Sequence, residues 1–388
     1  MKIKTMFAVA LAAVVTLASC SKEDNSTPNG GDTTRVVLEV KKPAGTRAEG
    51  STVAAHQVQF QNGYVYFVDG SGVITDVFTI VTTTPTPETN EINLAAGSVS
   101  FDGVSGKSQH IYILGNVPAL SYAKGADISD VLAEAVEIKS QNNSLSASTV
   151  ANVTLYGKTE TAINHAGNPS TASLTVKPIG SRIEVKEFKA VKIDNSTPTA
   201  ITTYRIDGIF LNNFYQKSTV AGVKTTNPNN DKIYYAKEAN GQTPVNFVTN
   251  GGVYTPANDG YIFNANEARG IGTYTSATKV YAPTTSGNVW AYNLFAPEAG
   301  EMPHLVVRVS GLNAEVGVGN QIRWMTVTKF VDADNTASEV AFEPGKIYKI
   351  QSFEFNETNL DVAPEMKTVS ALVTVSLVSW EEKTVKPW

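Results

Sequence analysis

Cys20 is the residue with the clearest chemistry, because it is the only cysteine among the 388 residues. It follows Leu17-Ala18-Ser19, and an apolar stretch over residues 6–17 lies upstream, behind two lysines. A basic start, a short apolar run and small residues before a cut are the features of a secretory signal. The residues ending in Cys20 look like a bacterial lipobox. We therefore predict a lipoprotein signal peptide over residues 1–20 and a lipid on Cys20; the alternative is a plain signal peptide with an incidental cysteine.

The peptide bond between Arg47 and Ala48 is the second candidate for chemistry. The turn-forming run at residues 43–47 ends in this arginine, so the bond is predicted to lie in a loop. A cut here would detach everything from the lipid to the loop. Arg35 is a competing site, but it precedes the adjacent strand, so cutting there would leave that strand in place. We predict cleavage after Arg47 and a propeptide over residues 21–47.

Other patterns that could support catalysis or ligand binding each lack a required residue or spacing. Gly103–Ser108 resembles a phosphate-binding loop, but position 101 is Phe101 where a glycine is needed, so we interpret the segment as a hairpin loop. The acidic run at 332–336 resembles a calcium loop, but Ala337 takes the place of its glycine. The four histidines show neither i, i+4 spacing nor a neighbouring cysteine. We predict no enzyme activity, no metal site and no cofactor.

The composition is that of a β-rich chain. Charged residues make up 17% and the formal net charge is −5, which argues against nucleic acid as a partner. Short alternating segments and frequent turns predict two β-sandwiches in series with few short helices. One helix is predicted from Asp127 to Lys139. A turn cluster at 194–198 places the boundary between a domain at 48–192 and a domain at 193–388.

A strand next to the predicted cleavage loop is called the leader strand below. Within residues 35–41, Val36, Leu38 and Val40 share one face and alternate with polar or outward residues. Removing one strand from a sandwich leaves an apolar groove lined by unpaired backbone groups. We therefore expect that cleavage after Arg47 opens such a groove.

A matching pattern lies near the other end of the sequence. Alternate positions from 369 onward are apolar, over a length typical of a long strand, and the second face is only partly polar. Such a strand either closes its own sandwich or pairs with a neighbouring molecule. We predict that residues 369–388 donate a strand to the groove of another copy. The predicted inward residues are Val369, Ala371, Val373, Val375 and Leu377.

Several segments together resemble the fimbrillins, the structural subunits of type V pili. They include the lipobox, the leader strand and Thr46-Arg47-Ala48. They also include the segments at 113–118, 210–213, 302–307 and 342–348 and the tail from Trp380 to Trp388. Each segment is weak alone, and the order and spacing carry the resemblance.

The resemblance implies a fold, a processing route and a set of partners. It implies two transthyretin-like β-sandwich domains, export as a lipidated precursor to the outer membrane surface, and cleavage by an Arg-specific protease. It also implies polymerisation by strand exchange with other copies and related pilus subunits. Because the chain has both a cleavage site and a donor pattern, a stalk subunit supporting adhesion is favoured over an anchor or tip subunit.

A surface lipoprotein that binds glycans is the alternative. It would share the lipobox and the sandwiches but would need neither cleavage nor strand exchange. In this alternative, a group of aromatic side chains would stack on sugar rings. The same side chains could instead pack within the sheets and loops. Its members are Tyr234, Tyr235, Tyr254, Tyr261, Tyr274, Tyr281 and Trp290.

Overall fold

The computed structural model describes most of the chain from residue 33 onward. The described ranges are 33–41, 60–86, 89–94, 97–141, 153–194, 196–223, 232–233, 262–264, 272–284, 289–295, 297, 301–313, 322–333, 339–365 and 368–377. They fall in one compact unit. Within them, no helix is long and apolar enough to cross a membrane.

The first part of the sequence forms nine strands, rich in the β-branched and aromatic residues that suit a sheet surface. A tight turn after Asp69 joins β2 to β3, and the Asp69 carboxylate stabilises it by accepting from the Ser71 N–H at 2.8 Å and the Val73 N–H at 3.0 Å. The strands are β1 Thr33–Lys41, β2 Gly63–Asp69, β3 Ile74–Ile80, β4 Glu91–Ile92, β5 Gly97–Ser105, β6 Ser108–Gly115, β7 Ala135–Glu137, β8 Leu155–Lys158 and β9 Ser170–Pro178.

Eight of these strands form the first sheet, in the order β4-β3-β2-β6-β8-β9-β1-β5. Its inner side chains form the first core, which includes Val36, Leu38, Phe67, Phe101 and Ile113. The opposite faces of β2 and β6 are buried as well, because Tyr66 and Leu114 belong to a second core. Burial on both faces explains why most of β2 and residues 111–114 of β6 are apolar.

The remaining strands form the second half of the fold. They are β10 Gly180–Val185, β11 Phe188–Ala190, β12 Arg205–Asn212, β13 Phe214–Tyr215, β14 Lys217–Thr219, β15 Lys232–Ile233, β16 Ile262–Asn264, β17 Gly272–Thr275, β18 Val280–Pro283, β19 Trp290–Phe295, β20 His304–Ser310, β21 Arg323–Asp332, β22 Lys346–Ile350, β23 Phe353–Phe355 and β24 Thr368–Leu377.

The second sheet has the order β16-β12-β20-β21-β24-β22-β10-β19. A four-stranded sheet, β17-β18-β11-β23, and the pairs β13-β15 and β14-β7 complete the strand pairing of the described residues. Most of the second core comes from these strands. The prediction of an all-β fold is confirmed.

The two halves of the fold are joined by side chains and by one strand pair that lies outside both large sheets. Ile347 of β22 is fully buried within the first core. The Asn293 side chain of β19 donates a hydrogen bond to the Gln141 carbonyl, which follows β7. Strand β14 pairs with β7, which connects the two parts of the sequence through backbone bonds. Burial of apolar side chains across this junction makes the halves depend on each other for stability.

Two local predictions are tested by these elements. The helix predicted over 127–139 is shorter: α1 spans Ile128–Ala133, with Asp127 as its N-cap. It ends there because the next residues form β7 and pair with β14, a tertiary contact that overrides helical periodicity. The hairpin predicted at 103–108 is wrong, since β5 and β6, which this turn connects, are not neighbours in the sheet.

The predicted domain boundary lies downstream of the point where the sheets change. Strand β9 ends the first sheet at Pro178, and β10 already belongs to the second sheet from Gly180. Strand β11 likewise pairs with β18 and β23 of the second half. The division at 192/193 therefore follows two strands whose partners all lie in the later part of the chain, and it stays a prediction.

Candidate strand-exchange site

The leader strand, as β1, lies inside the first sheet with a partner on each side. It begins at Thr33, so the prediction that Arg35 precedes the strand is wrong, because Arg35 lies within it. It runs antiparallel to β5 and parallel to β9, with Leu38 opposite Val99 on one side and Ala172 on the other. Val36 and Leu38 are 0% exposed and Val40 is 3% exposed. The alternate residues point outward, and Glu39 and Lys41 form an exposed ion pair at 3.4 Å. Loss of β1 would therefore open a slot with apolar side chains at its base and free backbone groups on both walls.

The two walls of this slot are held differently. Strand β9 is backed by β8, which pairs with it antiparallel from Leu155–Pro178 to Lys158–Thr175. Strand β5 lies at the end of the sheet, and among the described residues β1 is its sole ladder partner. Without β1, the β5 wall would be held by side chains and by its loops.

An aromatic cluster supplies much of that side-chain support. The ring of Phe101 in β5 packs edge-on against Phe67 at 5.2 Å and Phe78 at 5.0 Å between centroids. The Ser105 N–H donates to the Asp76 carboxylate at 2.8 Å. These contacts reach β2 and β3 across the sandwich and do not involve β1. Loss of β1 would therefore leave these side-chain contacts to hold strand β5 against the core.

The predicted donor strand is observed as β24, and it is incorporated into its own fold. Residues 368–373 pair parallel with β21, from Thr326–Thr368 to Asp332–Val373. Residues 374–377 pair antiparallel with β22, from Lys349–Thr374 to Lys346–Leu377. Ala371 is 3% exposed and Val373 is 0% exposed. Of the two uses that the sequence left open, closure of its own sandwich is therefore the one seen in this structure.

The segment that leads into β24 carries a cluster of polar contacts. The Glu365 carboxylate accepts from the Asn212 amide at 2.6 Å and lies 2.9 Å from His304 Nδ1. The Glu365 backbone N–H donates to Thr326 Oγ1 at 2.9 Å. The glutamate side chain is 6% exposed, and its φ of 62° lies in the left-handed region. This cluster ties the start of β24 to β12, β20 and β21.

The predicted modification sites lie elsewhere in the sequence. Cys20, Arg47 and Ala48 lie outside the described residues, as does the tail at 378–388. For Val375 and Leu377 the structure gives the backbone pairing with Tyr348 and Lys346. The structure thus brings together the leader residues in one core and the first donor residues in another. It does not place the lipid site or the cleavage site.

The aromatic group proposed for glycan stacking is largely engaged in packing where it is described. Tyr281 and Trp290 are 3% and 5% exposed, and their rings stack at 6.1 Å. Tyr274 donates its hydroxyl proton to the Thr202 carbonyl at 2.6 Å. The remaining four tyrosines lie outside the described residues. Tyr281 and Trp290 are therefore core residues, and Tyr274 is half-buried and packs against the same core.

Sequence reasoning missed the centre of this aromatic packing, Tyr204. Its ring contacts Tyr274 and Phe355 edge-on at 5.0 Å each. Its hydroxyl donates to the Phe188 carbonyl at 2.8 Å, and burial raises the pKa of Tyr204. A tyrosine just before the apolar β12 was the available signal.

No group of three or more His, Cys, Asp or Glu within the described ranges could hold a metal ion.

Comparison with known proteins gives the class of fold. No protein-family model matches the sequence, and no curated protein matches it either. A solved structure from Parabacteroides distasonis, described as a putative cell adhesion protein, is similar with a TM-score of 0.52 and 13% identity, over 90% of this chain and 97% of that one. This similarity shows that the two chains share an all-β fold.

Two further solved structures show a weaker similarity. One, from Bacteroides eggerthii, is also described as a putative cell adhesion protein, with a TM-score of 0.49 and 14% identity over 90% of this chain and 97% of that one. The other is a fimbrilin from Porphyromonas gingivalis, with a TM-score of 0.45 and 12% identity over 90% and 99%.

Proposed function

We propose that this chain is a structural subunit of a surface fimbrium, a stalk fimbrillin that polymerises by strand exchange and supports adhesion. The observation that carries the proposal is the position of β1. It is paired on both edges and fully buried on one face, yet it is followed within a few residues by Arg47 in a turn-rich run. One cut would separate this interior strand from the rest of the chain.

The energetics fit a strand that is stable until it is replaced. Three buried aliphatic side chains at about 1.5–3 kcal/mol each stabilise the bound strand by roughly 5–9 kcal/mol, before the entropy cost of ordering it is subtracted. This stabilisation is an upper bound, because a real unfolded strand already buries part of its apolar surface. Such a strand keeps the groove filled in the precursor. Once it is cut free, its loss is favoured by dilution, and an equivalent strand from a second copy can restore the same burial and backbone pairing.

The proposed sequence of events follows from this arrangement. The precursor is held at the outer membrane surface by a lipid on Cys20, and an Arg-specific protease cuts between Arg47 and Ala48. The lipid, residues 21–47 and the leader strand leave together. The groove between β5 and β9 then accepts residues 369–388 of a neighbouring copy or a related subunit. Release from the membrane and competence for assembly thus become one event, and the role is structural and not enzymatic.

Substitution of Arg47 tests this proposal. Purified chain with Arg47→Ala should resist an Arg-specific protease at this bond and stay monomeric in size-exclusion chromatography. The matched control is Arg35→Ala, which removes an exposed arginine whose ion pair with Asp102 spans 3.5 Å. The control should be processed to an Ala48 N-terminus and polymerise. Polymers from the Arg47→Ala chain, or monomers from a fully processed unsubstituted chain, would refute the proposal.

A further inference from the structure

Strand β24 changes partner midway, and this divides it into two segments. Residues 368–373, the anchor segment, form six register pairs with β21. Residues 374–377, the release segment, form four register pairs with β22. Among the described residues, neither segment pairs along its other edge. The strand therefore passes from one ladder to another, and among the described residues each segment has one ladder partner.

The anchor segment is fixed by contacts beyond its ladder. Ala371 and Val373 are buried in the second core, and Val369 packs against that core. The Val373 carbonyl also accepts from the Ala333 N–H at 3.0 Å. Withdrawing this segment would expose apolar surface in the donor's own sheet.

The residues before the anchor segment hold it from the other side. Asp361 and Trp324 exchange two backbone hydrogen bonds of 2.8 Å each. Glu365 follows with its buried contacts to Asn212, His304 and Thr326. A buried carboxylate that loses such partners is left without compensation. Any movement that carried Glu365 out of its place together with the anchor segment would have to break the contacts of Glu365 with these three residues.

We propose that the donated strand starts at Thr374 and that the anchor segment stays in its own sheet. This inference rests on the proposed function and narrows the donor predicted from Val369. In the donor, Ala371 and Val373 keep the second core closed, while β22 loses one ladder. The release segment offers Val375 and Leu377 with the same two-residue spacing as Val36 and Leu38 of the strand they replace. The Val373–Thr374 junction acts as the hinge.

Two engineered disulfides test where the movable part begins. Directly paired residues on neighbouring strands lie within the Cα separation that a disulfide spans. Val331→Cys with Leu372→Cys would lock the end of the anchor segment to β21, and Lys346→Cys with Leu377→Cys would lock the release segment to β22. Both pairs are built into a full chain with Cys20→Ser, which removes the native cysteine. Each is then cut with an Arg-specific protease, oxidised and reduced.

The expected result is a difference between the two locks. The oxidised 331–372 chain should polymerise as its reduced form does, whereas the oxidised 346–377 chain should stay monomeric until it is reduced. If both locks block polymerisation, the whole of β24 leaves and the division is wrong, although the proposed function stands. If neither lock blocks it, the donor does not start at Thr374. If the cleaved chain without engineered cysteines fails to polymerise, it is the proposed function that fails.

Hydrogen exchange in the uncut chain provides a second measurement that needs no substitution. Backbone segments that open more readily exchange their amide hydrogens faster, so the proposal predicts that amides at 374–377 exchange at least about tenfold faster than those at 369–373. Equal protection across the Val373–Thr374 junction would overturn the division of β24. So would faster exchange in the anchor segment.

Discussion

Truncation of Leu38 is the sharpest test of the buried leader strand. Leu38 is 0% exposed and lies in the first core, between β5 and β9. Replacing a buried leucine by alanine costs about 2–5 kcal/mol, depending on how far the site can collapse. At about 1.4 kcal/mol per tenfold, this corresponds to a factor of roughly 30 to several thousand in the equilibrium constant for leader binding.

The assay uses the native cysteine as a label. In a chain that begins at Cys20 and is expressed without export, a fluorophore on this thiol travels with the leader after cleavage at Arg47. Release of the leader then appears as a fall in fluorescence anisotropy. Leu38→Ala should release the labelled leader faster and at lower urea concentration than the unsubstituted chain. The reason is that the substitution removes contacts that stabilise the bound leader and are absent once it has left.

Glu39→Ala is the matched control. Glu39 lies next to Leu38 in the same strand but is exposed, and its ion pair with Lys41 is exposed on both sides. Exposed pairs contribute about 0–1 kcal/mol, so this variant should release the leader almost as slowly as the unsubstituted chain. If both variants behave alike, β1 is not bound through the face that carries Leu38, and the argument for the groove is refuted.

Three further predictions concern the stability of the folded chain. Glu365→Ala should lower the free energy of unfolding in urea by about 1–3 kcal/mol because buried donors lose their acceptor, and Glu365→Gln by less; equal losses would contradict this reason. Burial raises the pKa of Tyr348 from 10.0 to about 12, so stability should fall as the pH rises from about 10 towards 12, and Tyr348→Phe should flatten that pH profile. An unchanged slope would contradict the assignment. Gly157→Ala would place a Cβ 2.9 Å from the Thr175 carbonyl oxygen, and the overpacking should cost about 1–3 kcal/mol in thermal unfolding; an unchanged melting temperature would argue against the close packing of β8 on β9.

Local patterns predicted well where burial on one face decides the structure. The alternation of Val36, Leu38 and Val40 gave the strand and its inward face, and the structure buries all three. The turn residues Asp69-Gly70-Ser71-Gly72 favour a hairpin, and β2 and β3 pair there. Period-two patterning and turn chemistry depend on residues close in sequence, so they can be interpreted without the rest of the fold.

Predictions failed where the local structure depends on pairing with a strand that is distant in sequence. The stripe that continues beyond Ala133 suits a helix, but residues 135–137 pair with β14, which lies far along the sequence. The loop at 103–108 suits a hairpin, but β5 pairs with β1 and β6 with β2 and β8. Strand order depends on non-local burial and backbone pairing, which period and propensity do not encode.

The sequence by itself determined the all-β class, the lipobox pattern around Cys20 and the two strand patterns near residues 36 and 369, because composition and periodicity are local properties. Only the tertiary structure decided that β1 lies inside a sheet between β5 and β9. It also decided that β24 changes partner after Val373. In both cases the outcome depends on which distant strand hydrogen-bonds to the N–H and C=O groups along each edge of the strand. The residues of the strand itself do not specify that partner.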